Sequence, residues 1–193
     1  MAAPGHPQPT TQAEFLALLA SANISSSVAA TIADNYINPP TKYGSITQGW
    51  VKLTADACVI CPSAFLSQTY TVTGKAPPTT WEYEFMGPRG LSPHAGELPY
   101  VFGPYFAAAV CGPHSIENLC PSPYNATLSK DMMAAWREYA WGASPWPDHT
   151  QNLAYRKFGD GDEVTAHNMR GAQCGALVDS LSFEQMMSVC FGL

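Results

Sequence analysis

Apolar residues first recur along this chain with the period of a helix. In "TQAEFLALLASA", Phe15, Leu18, Leu19 and Ala22 fall at i, i+3, i+4 and i+7, one apolar face behind a capping box of Thr11 and Glu14. Residues 26–36 repeat the pattern with Val28, Ile32 and Tyr36, and Pro39-Pro40 stops it. A third helical stretch is predicted within 46–70, broken or started near Pro62, whose ring and missing N–H do not suit a helix interior. The period then changes. In "TTWEYEF" Trp81, Tyr83 and Phe85 alternate with Glu82 and Glu84, which predicts a strand over 80–85.

A loop rich in Pro and Gly follows, and it carries His94 nine residues after Phe85. "LSKDMMAAWREYAWG" gives the clearest helix. Ser129 suits its cap, Asp131 its first turn, and Leu128 stands where it can staple to Met133. Met132, Ala135, Trp136 and Tyr139 form the stripe expected to be buried, Gly142 ends the helix, and Pro145 prevents its continuation. A last helix begins at Ser182 with Gln185 completing a second box, and carries Phe183, Met186, Met187 and Cys190. Residues 1–10 read as a flexible lead-in and 11–193 as one structural region, without internal repeats. One convincing strand among several helices is a poor inventory for a self-contained α/β domain.

Composition narrows the possible partners. The 193 residues are 46% hydrophobic and only 12% charged, with a net charge of −6 and no Lys/Arg cluster, so a nucleic-acid backbone finds little to hold it. No uninterrupted apolar run of membrane-spanning length is seen, and "MAAPGHPQPT" has neither the basic start nor the apolar stretch of a secretory signal. Six cysteines and two N-x-S/T sequons, at Asn23 and Asn125, favour an oxidising, secretory history and mark both asparagines as glycosylation candidates.

The cysteines admit several readings. Cys111 and Cys120 flank "GPHSIENL", a short loop that one disulfide could close. "CVICP" could be a zinc or redox C-x-x-C, but no second ligand pair or βαβ context accompanies it. "CGPH" could pair the Cys111 thiolate with His114, with a Gly-Pro turn as the plainer reading. His6, His149 and His167 have no neighbours at ligand spacing and read as surface residues, so no metal and no organic cofactor is expected.

"HAGELPYVFG", followed by "LSKDMMAAWREYAWGASPWP", resembles the C-terminal third of the type-B carboxylesterases and cholinesterases. In that family the catalytic-histidine loop reads His-Gly-x-Glu-Leu/Ile before an aromatic run. A Trp-bearing helix then leads to a Trp-Pro pair, here Trp146-Pro147. Cys61-Pro62 and "WEYEF" stand in the same order, so the resemblance spans residues 11–178. It departs at one point: Ala95 stands where the family has Gly.

The resemblance implies a C-terminal fragment of an α/β-hydrolase fold, mostly helical with one or a few strands. His94 would be the general base and acid of a serine esterase acting on small carboxylic esters. It implies that Glu97 is a buried carboxylate behind the histidine, a helix-start residue being the alternative. It also implies a Cys61–Cys174 disulfide, which leaves Cys58 and Cys190 either paired or free.

The nucleophile is missing from these residues. "GLSPH" at Ser92 and "GASPW" at Ser144 lack the second Gly of a G-x-S-x-G elbow, and there is no Gly-rich oxyanion loop. Glu14, which is the first acidic residue, suits a cap better than a triad. One triad member of three is present, and a base without serine and oxyanion donors does not form an acyl-enzyme. Two other readings remain: a non-catalytic esterase-like binding or adhesion protein, and a small disulfide-stapled secreted protein folding alone.

Overall fold

The computed structural model describes residues 8–39, 42–73, 79–87, 95–110, 124–149, 153–159, 166–167 and 170–191. The chain is mostly helical and divides into two compact units, Met1–Leu66 with Arg170–Leu193, and Ser67–Met169.

The first unit is helical. It contains α1 (Gln12–Ser21), α2 (Ser26–Tyr36), α3 (Ile46–Ala55), a π-helical turn (Asp56–Ile60) and the start of α4 (Cys61–Thr73). α8 (Gly171–Val178) and α9 (Phe183–Phe191) return to it from the end of the chain. The sequence sets the helix starts. Glu14 N–H donates to Thr11 Oγ1 while Glu14 Oε2 accepts from the Thr11 N–H, and Ser182 and Gln185 exchange the same pair of bonds. Phe15, Leu19, Ile32, Tyr36, Leu53 and Leu177 are fully buried together, and the Phe15 and Trp50 rings meet edge to face at 5.5 Å. α2 and α3 cross closely at Gly49, where an added Cβ would stand 2.6 Å from the Tyr36 carbonyl oxygen.

The helix at Pro62 does not break. α3, the π turn and α4 run as one helix through it, and the Cys61 N–H reaches back to the Asp56 carbonyl. A widened turn just ahead of Pro62 makes room for its ring, which an α turn would press onto the carbonyl four residues earlier. Residues 46–67 of this helix are long and apolar enough to cross a membrane by length and composition alone. Its Trp50, Leu53, Asp56, Ala57, Cys61 and Ala64 are buried within the protein, so no membrane span is established.

The second unit holds β1 (Tyr83–Gly87), α5 (Leu98–Val101), α6 (Gly103–Val110), α7 (Ala126–Ala140), β2 (Ala154–Gly159) and β3 (Ala166–His167). The sheet order is β1-β2-β3. β1 and β2 are parallel, with Phe85 opposite Phe158 and an irregularity between Phe85 and Gly87, and β3 is antiparallel to β2. Among the described residues there are three strands, within the one or a few expected, and the one placed from sequence starts three residues later than expected. Tyr100, Leu128, Met132, Ala135, Trp146 and Phe158 form the core. The Tyr83 ring packs edge-on against Trp136, Trp146 and Phe158.

Several expectations for α7 fail: Asp131 lies beyond its first turn, and Leu128 sits inside the helix rather than ahead of its cap. The helix starts at Ala126, capped by Asn125, whose Oδ1 accepts from Thr127 and Leu128 N–H. Ser129 is buried inside the helix, where its hydroxyl donates to the Tyr100 carbonyl. Tyr139, read as part of the buried stripe, is half in solvent, because the helix turns that position toward its exposed end beside Trp141.

Candidate functional site

β1 runs out at Gly87, at the carboxyl end of a parallel strand pair, and His94 is seven residues further along the chain. The carboxyl ends of parallel strands are where α/β proteins gather their binding and catalytic residues. His94 itself lies outside the described residues, as do Ser92, Cys111, His114 and Cys120.

The residue after His94 is described, and its backbone is unusual. Ala95 has φ 61°, in the left-handed region that a side chain with a Cβ disfavours. It opens a tight turn in which the Leu98 N–H donates to the Ala95 carbonyl at 3.2 Å. α5 follows at once, and the Glu97 carbonyl accepts from Tyr100 and Val101 N–H.

This short helix is held onto α7. Ser129 Oγ donates to the Tyr100 carbonyl at 2.9 Å, and the Tyr124 hydroxyl donates to the Pro99 carbonyl at 3.2 Å. The Tyr100 ring stacks on Tyr124 at 5.2 Å and meets Phe85 of β1 at 5.3 Å. Two side-chain hydrogen bonds and two ring contacts therefore fix the short helix α5 that follows this turn.

Glu97 is half-buried and stands at the N-cap position of α5, but its side chain makes no capping bond. Its charge reaches Tyr83: burial mainly, and Glu97 in addition, push the Tyr83 hydroxyl above its ordinary value.

The cysteines are sorted in the first unit. Cys61 is joined to Cys174 and Cys58 to Cys190, with Cα separations of 5.1 and 5.3 Å. Both members of the C-x-x-C are thereby oxidised with other partners, so "CVICP" is neither a zinc pair nor a redox pair. Two disulfides are consistent with an extracellular or secretory-pathway protein. No cluster that could hold a metal ion occurs among the described residues. Of the sequon asparagines, Asn23 is exposed with φ 57°, and Asn125 is half-buried as the α7 cap. Ser144 is exposed, and Glu14 is occupied as a cap.

Two buried polar clusters escaped the sequence reading. In the first unit Asp56, with no exposed surface, accepts from Arg170 Nε at 2.6 Å and from the Tyr36 hydroxyl at 2.7 Å. Arg170 also reaches the Tyr43 hydroxyl at 3.3 Å. Burial pushes the Asp56 carboxyl up, while Arg170 and Tyr36 oppose it. In the second unit His149, expected at the surface, is buried to 1% exposure with its Nδ1 3.1 Å from Glu82 Oε2. The Thr80 carbonyl accepts the His149 N–H at 3.0 Å. An acidic residue on the buried face of the helix, in register with Trp50 and Leu53, was the available signal for Asp56; nothing local marked its partner 114 positions away.

No family model matches the chain, and neither a curated protein nor a solved structure matches it.

Proposed function

We propose that the chain is the histidine-bearing part of a secreted α/β-hydrolase of the serine carboxylesterase type. Within that class it resembles the type-B carboxylesterases and cholinesterases. His94 acts as the general base of a carboxylic ester hydrolase whose serine and carboxylate come from other residues of the whole protein. In the reaction His94 takes the serine proton as the hydroxyl attacks the ester carbonyl, and returns it to the departing alcohol. Water then repeats the cycle on the acyl-enzyme and releases the acid.

The observation that supports this reading is the backbone of Ala95. The family has Gly directly after its catalytic histidine, and this chain bends into the left-handed region there although it carries Ala. Strain of this kind persists where the surroundings over-determine it, and it clusters at functional sites. The short helix α5 that follows this turn is pinned by Ser129, Tyr124 and Tyr100, which suits a platform for an imidazole that must be aimed.

The test is His94→Gln in the natural full-length protein. Ester hydrolysis is expected to fall by at least about a thousandfold with KM little changed. Unchanged hydrolysis in the folded variant would remove His94 from the chemistry. A protein with no hydrolysis before substitution would leave the non-catalytic binding reading.

A further inference from the structure

Glu82 and His149 are buried where the chain runs into the two parallel strands, at the opposite end of the pair from Gly87. Glu82 directly precedes β1, and its carbonyl accepts the Arg156 N–H of β2 at 3.1 Å. The His149 N–H donates to the Thr80 carbonyl at 3.0 Å, and the His149 carbonyl accepts from Leu153 at 3.0 Å. His149 Nδ1 stands 3.0 Å from the Ala154 carbonyl at the start of β2 and 3.1 Å from Glu82 Oε2. A carbonyl only accepts, so Nδ1 carries a hydrogen and donates it to Ala154. The Glu82 carboxylate lies beside that N–H without the geometry of a hydrogen bond. Both its oxygens and His149 Nε2 are buried with no hydrogen-bond partner among the described residues.

We propose that Glu82 and His149 form a proton-dependent latch that fastens the amino ends of β1 and β2 together. With one proton beyond that on Nδ1 the pair is neutral, whichever atom carries it, and the proton belongs to the pair rather than to either residue. Without it, a carboxylate is left in the core with no balancing charge, a costly state. The charge that counters the burial of Glu82 is that of His149. Glu84 on β1 repels the carboxylate. The Arg156 guanidinium of β2 lies 4.7 Å from the Phe158 ring centroid, and the Lys157 ammonium 5.8 Å from that of Tyr155. Asp148, next to His149, is itself acidic, and α7 leaves Lys130, Arg137 and Glu138 exposed.

The electrostatics agree in sign. Burial is the main cause that raises the Glu82 carboxyl above its ordinary value; His149 opposes it and Glu84 adds to it. A carboxyl raised on folding gives stability that is whole below its unfolded value and lost as pH rises through the raised one. The latch therefore holds in acid and loosens toward neutral and alkaline pH. It does not depend on the esterase reading.

Hydrogen exchange of the 193-residue chain at pH 5 and pH 8, corrected for intrinsic chemistry, tests this. Protection of the Arg156 and His149 amides is expected to fall by about tenfold for each unit by which the pair's proton affinity is raised, while the α1 and α2 amides hold theirs. Glu82→Gln, which keeps the shape and removes the buried carboxylate, is expected to flatten that fall. Equal protection at both pH values in the unaltered chain, or an undiminished fall in E82Q, would overturn the proposal.

Discussion

Both units of the molecule bury a carboxylate, and they treat it differently. Asp56, in the helical unit, faces a guanidinium that does not lose its proton, and a tyrosine hydroxyl whose burial keeps it a donor. Two disulfides tie the same unit, and both cysteines of one of them are buried. Glu82, in the strand-bearing unit, faces an imidazole, and no disulfide is found there among the described residues. That unit relies on aromatic packing around Tyr83, Tyr100 and Phe158, and on neutral hydrogen bonds such as Ser129 to Tyr100. Permanent ties hold the helical unit, whereas packing, neutral hydrogen bonds and one proton-dependent pair hold the strand-bearing unit.

This contrast is sharpest at Arg170. Arg170→Met is expected to cost about 3–5 kcal/mol, because it strands a fully buried carboxylate. Asp56→Asn in the same chain should restore part of the loss, and denaturant unfolding of the single and double variants measures the difference. If R170M costs nothing, the charge tie does not hold the helical unit. Ser129→Ala tests the neutral ties of the other unit at smaller scale. It removes the buried hydroxyl that donates to the Tyr100 carbonyl, an expected loss of about 1–2 kcal/mol with faster exchange at Tyr100 and Val101. Ala95→Gly should act in the opposite direction. It relieves the left-handed strain after His94 and is expected to gain roughly 0.5–1 kcal/mol, after the glycine's greater unfolded-state freedom is counted. A loss of stability in A95G would mean that the turn does not hold residue 95 as described.

Local chemistry made part of this legible. The capping boxes at Thr11 and Ser182, the periodic faces of α1, α2 and α7, and the alternation before β1 are written in neighbouring residues. β2 was not. "AYRKFG" places two cations mid-strand; their charged heads lie over the Phe158 and Tyr155 rings while β1 pairs with the strand. The first residue of α7 was misjudged because Ser129 and Asn125 are both plausible caps. Only the Tyr100 carbonyl, 29 residues away, shows why Ser129 turns inward. The buried pairs Asp56–Arg170 and Glu82–His149 join residues 114 and 67 positions apart, beyond any periodicity. At the candidate site the sequence supplied His94 and the family pattern around it. The strained Ala95 and the bolts of α5 to α7 are tertiary facts.

The most direct test of the central claim is the intact mass of the natural protein that yields the His94 peptide, before and after exposure to a fluorophosphonate. The account predicts a product well above 20.7 kDa that gains one phosphonyl group on a serine, and that loses this reactivity with His94→Gln. A mature product of about 20.7 kDa that takes up no label would contradict it.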